Sequence, residues 1–193
     1  MNSSQQAEKK PGPEQYILLE CNRRKIPVVR ILLTGANGYI GKRLLPALVD
    51  QGHQVICCVR DSNRFHLNKL YPGIRVWEHD FLYPVGEGFP KDIDAAYYLI
   101  HSMSTSISGF YETEEKSARH FSEYIEKTTA RQIIYLSGIT NVSRLSRHLS
   151  SRKNVEDILD SCPVPLTTLK AGIIIGSGSS SFEIMRDLVE KLP

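Results

Sequence analysis

Three glycines, Gly35, Gly38 and Gly41, recur every third residue within Thr34-Gly-Ala-Asn-Gly-Tyr-Ile-Gly. A short apolar run, Val28 to Leu33, precedes them, and a stretch with helical periodicity follows. A strand that turns on glycine into a helix has a specific chemical use. Gly35 lets the chain leave the strand sharply, Gly38 lets backbone approach a pyrophosphate, and Gly41 lets the helix pack closely on the strand. The first helical N–H groups and the positive dipole end then face the phosphates. Gly35, Asn37, Gly38, Tyr39, Ile40 and Gly41 are therefore the first candidates for binding a dinucleotide. An ordinary glycine-rich turn is the alternative; the strand-to-helix context favours the dinucleotide.

Other residues gain meaning if they stand at strand ends on the same side of a sheet. Arg60 ends an apolar run, with Asp61 next to it. An arginine there pairs with a 2′-phosphate, whereas an acidic residue grips ribose hydroxyls. Arg60 favours NADP over NAD, and Asp61 is the counter-signal. Asp80-Phe81 follows another run: Asp80 is suited to the adenine amino group and Phe81 to covering the ring, against the plainer reading of Asp80 as a turn residue. Ile100, His101 and Ser102 fall where the nicotinamide ribose is expected, with His101 equally open to a packing role. Ser137 follows a fifth run, and a sixth delivers Lys170, a further candidate for binding the cofactor. His148 and Arg152 are four residues apart and share a helix face, which Val155 and Leu159 continue.

The elements that must position these groups follow from periodicity. Strands are predicted at 28–34, 54–60, 74–79, 94–100, 132–136 and 166–175. Helical stretches are predicted at 38–51, 62–70, 109–129, 145–160 and 182–191. Ile40, Leu44 and Leu48 mark the expected buried face of the first, in which Pro46 should produce a kink. Phe110, Ala118, Phe121 and Ile125 mark that of the third, with Glu and Lys on the exposed face. Alternation of strand and helix predicts an α/β fold, a doubly wound parallel sheet in the order 3-2-1-4-5-6 with helices on both faces. Residues 1–27 read as a loose polar tail and 28–193 as one domain.

The totals agree with that plan. The chain has 193 residues, 41% hydrophobic and 23% charged, so it is long enough and apolar enough for one sizeable core. A formal net charge of +3 does not argue for nucleic acid. Cys57 and Cys58 are adjacent, no C-x-x-C pair exists, and no Cys/His set has metal spacing. Buried thiols in a reducing, cytoplasmic setting fit this usage, with no metal expected. No apolar run approaches the ~20 residues of a membrane helix, so no membrane span is expected.

Four segments together resemble the short-chain dehydrogenase/reductase superfamily, and more narrowly its atypical, extended-like NAD(P)-binding branch. They are Thr34 to Gly41, Asp80-Phe81, Tyr135-Leu-Ser-Gly and Lys170-Ala-Gly-Ile-Ile-Ile-Gly. His148-Leu-Ser-Ser-Arg152 and Gly176 to Glu183 are similar to two further segments of that branch, and the likeness extends over about 29–193. The resemblance implies a Rossmann fold, a dinucleotide site and oxidoreduction of a carbonyl or quinone-type small molecule. It also implies a Tyr-x-x-x-Lys pair after the fifth strand, which this sequence lacks. His148 and Arg152 stand at the corresponding spacing: imidazole exchanges a proton near neutral pH, and arginine holds ribose without titrating. The resemblance places either Ser137 or its neighbour Gly138 in the register of the carbonyl-binding serine of the family. Extended members continue into a smaller substrate lobe, which this chain is not expected to contain. The alternative to an enzyme is a non-catalytic NADP(H) sensor or partner-docking module.

Overall fold

The computed structural model describes residues 27–101, 107–139 and 147–191. The predicted tail up to residue 26, Ser102 and the side chains of Phe110 and His148 lie outside the described residues. Six strands run β1 Arg30–Thr34, β2 Gln54–Val59, β3 Arg75–Glu78, β4 Ala95–Tyr98, β5 Ile133–Gly138 and β6 Leu166–Ala171. Four helices alternate with them: α1 Tyr39–Asp50, α2 Ile107–Ile125, α3 Arg147–Asp160 and α4 Ser180–Lys191. The sheet is parallel, in the order β3-β2-β1-β4-β5-β6, as expected.

Side-chain alternation divides the core between the two faces of the sheet. Leu32, Ile56, Ala96, Tyr98, Ile133 and Tyr135 face one side, where Phe121 and Ile125 of α2 and Val155 and Leu159 of α3 cover them. Ile31, Leu33, Val55 and Cys57 face the other, under Leu45 and Leu48 of α1. The order reverses at β1, which pairs with both β2 and β4. Thr34 staples that point: its buried hydroxyl donates to the Tyr97 carbonyl at 2.9 Å and accepts from the Leu99 N–H at 3.1 Å. The crevice at the ends of β1 and β4 is thus held in register by one side chain.

Several boundaries differ from the periodicity, for physical reasons. The stretch 62–70 is two short 3₁₀ turns, because Asp61 caps the first by accepting from the Asn63 N–H at 3.0 Å and Phe65 leaves it extended to reach the core. The buried face of α1 is Gly41, Leu45 and Leu48, one residue on from the predicted Ile40 and Leu44. Gly41 occupies the contact line because no side chain fits there. The helix runs on through Pro46, which has no N–H to give the carbonyl four residues before it, that of exposed Lys42. α2 stops at Ile125, because the Thr128 hydroxyl takes the Ile125 carbonyl at 2.7 Å and Thr129 turns back to Ile93 at 2.8 Å. β6 ends at Ala171 because its one strand neighbour, β5, ends opposite it at Gly138.

Candidate active site

The glycine turn is built by close approach. Gly35 has φ +63, and a Cβ on it would lie 2.6 Å from the Leu99 carbonyl oxygen, so both backbone and space require glycine. A Cβ on Gly41 would collide with the Gly35 carbonyl and with Ala36. Gly38 is different. Its φ of −74 suits any residue, and a Cβ there would meet only the Gly35 oxygen, at 3.1 Å. The space in front of Gly38 is open, and α1 starts there with no acidic residue in its first turn. These features leave a cradle for an anion at a helix N-terminus.

From this turn a cavity of about 810 Å³ extends along the ends of the strands, a volume in the range of small-molecule sites. Gly35, Asn37, Gly38, Tyr39, Ile40 and Gly41 line it, as do Arg60, Asp80, Ile100 and His101. At one end Arg60 is exposed beside β2, while the Asp61 carboxylate is engaged as the cap just described. Asp80 borders the cavity and also caps its own turn, accepting from the Leu82 N–H at 3.0 Å. Phe81 corrects the sequence reading. It touches the cavity, but its ring is 2% exposed and packs edge-on to Phe121 at 5.4 Å, so it is not free to cover an adenine. Trp77, His79 and Phe81 share one face of their segment, and α2 covers that face.

At the other end Ser137 and Arg152 line the cavity together. The Ser137 hydroxyl is buried and has no hydrogen-bond partner among the described residues. Arg152 reaches the Tyr135 hydroxyl at 3.4 Å and lies 5.8 Å from the centre of that ring. Burial pushes the Tyr135 hydroxyl up, against a smaller opposing pull from Arg152. Lys170 is not brought here. It is exposed and pairs with Glu156 of α3 at 3.4 Å, because alternation along β6 turns it to the side that α3 covers. His148 belongs to the first turn of α3.

Two groups that the sequence reading passed over, Glu114 and Ser151, complete this end around His101. Glu114 of α2 is 3% exposed, with Oε1 2.7 Å from His101 Nδ1, and its Oε2 accepts from the Ser151 hydroxyl at 2.7 Å. Burial alone would raise the Glu114 carboxyl; the bonds from His101 and Ser151, with the charge of Arg152, hold it below its ordinary value instead. It was legible in principle, because Glu114 stands four residues before Ala118 on the buried stripe of α2. Its charge and its Glu/Lys-rich neighbours assigned it to the solvent face.

A family model described as NAD(P)H-binding matches residues 35–162. The chain belongs to this NAD(P)H-binding family. No curated protein matches it in sequence. Solved structures share its fold. The UDP-glucuronic acid 4-epimerase of Bacillus cereus, in complex with NAD, superposes with a TM-score of 0.68 at 16% identity, over 85% of this chain and 63% of that one. WbmH of Bordetella bronchiseptica, in complex with NAD+, gives 0.64 at 16% identity, over 85% and 63%. A Bacillus halodurans protein assigned as an NAD-dependent epimerase/dehydratase gives 0.66 at 19% identity, over 79% and 74%. The chain thus spans less than two thirds of the epimerase and of WbmH.

The residues of this NAD(P)H-binding chain fit the cofactor. The cradle before Gly38 is one that a side chain would fill, the α1 N-terminus is free of acidic groups, and a buried hydroxyl without a partner waits at the far end. One further contact borders the site. Arg43 stacks 3.7 Å over the Tyr39 ring and donates to the Ser177 carbonyl at 2.6 Å, and a Cβ on Gly176 would strike the Tyr39 hydroxyl. The segment before α4 is thereby tied to the start of α1. Among the described residues, no helix is long and apolar enough to cross a membrane.

Proposed function

We propose that the chain is an oxidoreductase that uses NADPH in preference to NADH and acts on a carbonyl or quinone-type substrate. One observation carries this reading: a single cavity joins the anion cradle and Arg60 to the buried Ser137 hydroxyl and Arg152. The glycine turn and the first turn of α1 hold the pyrophosphate. Arg60 pairs with the 2′-phosphate, Asp80 faces the adenine, and Ile100 borders the nicotinamide ribose. When bound, NAD(P)H supplies hydride chemistry at this end. Ser137 donates a hydrogen bond to a substrate carbonyl oxygen, and Arg152 holds the ribose.

Titration with NADPH and NADH, followed by nicotinamide fluorescence, tests the binding half. Both should bind, NADPH more tightly, and neither should bind the folded Gly38→Val variant. If neither nucleotide binds the wild-type chain at millimolar levels, the reading is wrong. A second reading, a sensor or docking module without turnover, is favoured by the absence of Tyr-x-x-x-Lys from the helix after β5. A screen of carbonyl compounds and quinones for NADPH oxidation separates the two.

A further inference from the structure

We propose that His101, held by Glu114, which Ser151 holds in turn, is the group that exchanges a proton with the substrate oxygen; this rests on the oxidoreductase reading above. His101 follows β4 at the centre of the sheet, is one quarter exposed and forms part of the cavity wall. Its partner is placed the opposite way. Glu114 is almost wholly buried, and both of its oxygens are engaged, one by His101 Nδ1 and the other by the Ser151 hydroxyl, each at 2.7 Å. A buried carboxylate is costly unless it is paired and hydrogen-bonded. The two bonds come from different elements, the loop after β4 and helix α3, so the carboxylate is fixed against rotation.

The consequence for His101 is chemical. The carboxylate is acceptor-only, so Nδ1 must carry a proton and donate it to Glu114. That selects the tautomer in which Nε2 is the basic atom. A carboxylate that sets the tautomer and orientation of a histidine stabilises the imidazolium when the histidine takes a second proton. In the forward direction the Nε2–H bond breaks and an O–H bond forms on the substrate oxygen as that oxygen gains electron density. The imidazole is left neutral and regains its proton from water. In the reverse direction Nε2 takes the alcohol proton. Ser137 lines the same cavity, and its hydroxyl is the hydrogen-bond donor proposed above for that oxygen. The arrangement provides the proton that the missing tyrosine would otherwise supply, and Glu114 and Ser151 act as positioning residues.

Two measurements test the proposal. The first uses the nucleotide-free protein labelled with ¹⁵N-histidine at pH 8. His101 should show the shift pattern of a protonated Nδ1 and an unprotonated Nε2. Glu114→Gln should abolish that pattern, returning the ring toward the Nε2–H tautomer usual for exposed histidines. A wild-type His101 protonated at Nε2 overturns the proposal, and this outcome depends on no variant. The second measurement follows single-turnover oxidation of saturating NADPH by 9,10-phenanthrenequinone and by a panel of aldehydes. His101→Gln should slow transfer by about 10²- to 10⁴-fold, and Glu114→Gln by a smaller factor. Transfer by a folded His101→Gln at the wild-type rate overturns the proton role and leaves the oxidoreductase reading standing. Transfer by the wild type to no probe, with NADPH bound, overturns the oxidoreductase reading and the proton role with it.

Discussion

At the scale of single residues, side chains that line the same cavity differ in whether their polar groups are already engaged. Arg60 borders the cavity, while Asp61, the counter-signal in the sequence, is occupied as a cap. Arg60→Ala should therefore weaken NADPH and leave NADH nearly unchanged. A charge-assisted contact contributes about 1.5–3 kcal/mol, so the loss in titration should be about ten- to a hundredfold. Equal losses for both nucleotides would make Arg60 a support of the fold. Ser137 is the opposite case: its hydroxyl is buried and unpartnered. An unsatisfied buried hydroxyl costs about 1–3 kcal/mol, so Ser137→Ala should raise the Tm of the nucleotide-free protein by a few degrees. The same change should slow turnover, because the donor to the substrate oxygen is lost. A lower Tm would show that the hydroxyl supports the fold. Arg60 and Ser137 were legible because each ends an apolar run. Glu114 was legible only from its place on the stripe of Ala118, Phe121 and Ile125, because its charge is placed by partners that lie 13 and 37 residues away.

At the scale of elements, the strands and their order were readable, because the four central strands, β1, β2, β4 and β5, are near-continuous apolar runs. Element ends were less so. β6 stops where β5 stops, which is not local in the sequence, and α2 stops where Thr128 takes the Ile125 carbonyl and Thr129 turns back to Ile93, 36 residues away. The start of β1 illustrates a non-local anchor. Asp94, just before β4, accepts from the Arg30 N–H at 2.8 Å and from the Arg30 guanidinium at 3.1 and 3.2 Å. Asp92 also pairs with Arg30. The side-chain and backbone hydrogen bonds from Arg30 bring the Asp94 carboxyl down to about 2. A carboxyl lower in the folded than in the unfolded chain stabilises the fold above its unfolded value, near 4, and that contribution fades as the pH falls from about 4 to about 2. Asp94→Asn should therefore lower the Tm at pH 7, and the gap to wild type should close across that window. A gap that persists unchanged at pH 2 would assign the effect to packing.

At the scale of the whole molecule, the site has no single owner. The cradle comes from the turn between β1 and α1, Arg60 follows β2, His101 follows β4, Ser137 lies on β5, and Arg152 lies on α3. A ligand that touches all of these is bound by the folded chain and not by the unfolded one, so binding must stabilise the entire sheet. At a hundred times its Kd, NADPH should add about 2.7 kcal/mol. For a domain of this size each kcal/mol is worth about 2–4 °C, so the Tm should rise by roughly 5–11 °C. The single tryptophan gives a local check on this global effect. Trp77 stacks on His79 at 5.1 Å, and His79 lines the cavity near Arg60, far along the sheet from β5 and α3. If binding couples the two halves, tryptophan fluorescence and far-ultraviolet circular dichroism should report the same midpoint, shifted equally by NADPH. In Gly38→Val, whose backbone geometry suits a side chain but whose cradle is filled, the shift should vanish while the ligand-free Tm stays close to wild type. A fluorescence midpoint that moves without the circular dichroism midpoint would mean that the nucleotide steadies only the β1–β3 half of the sheet.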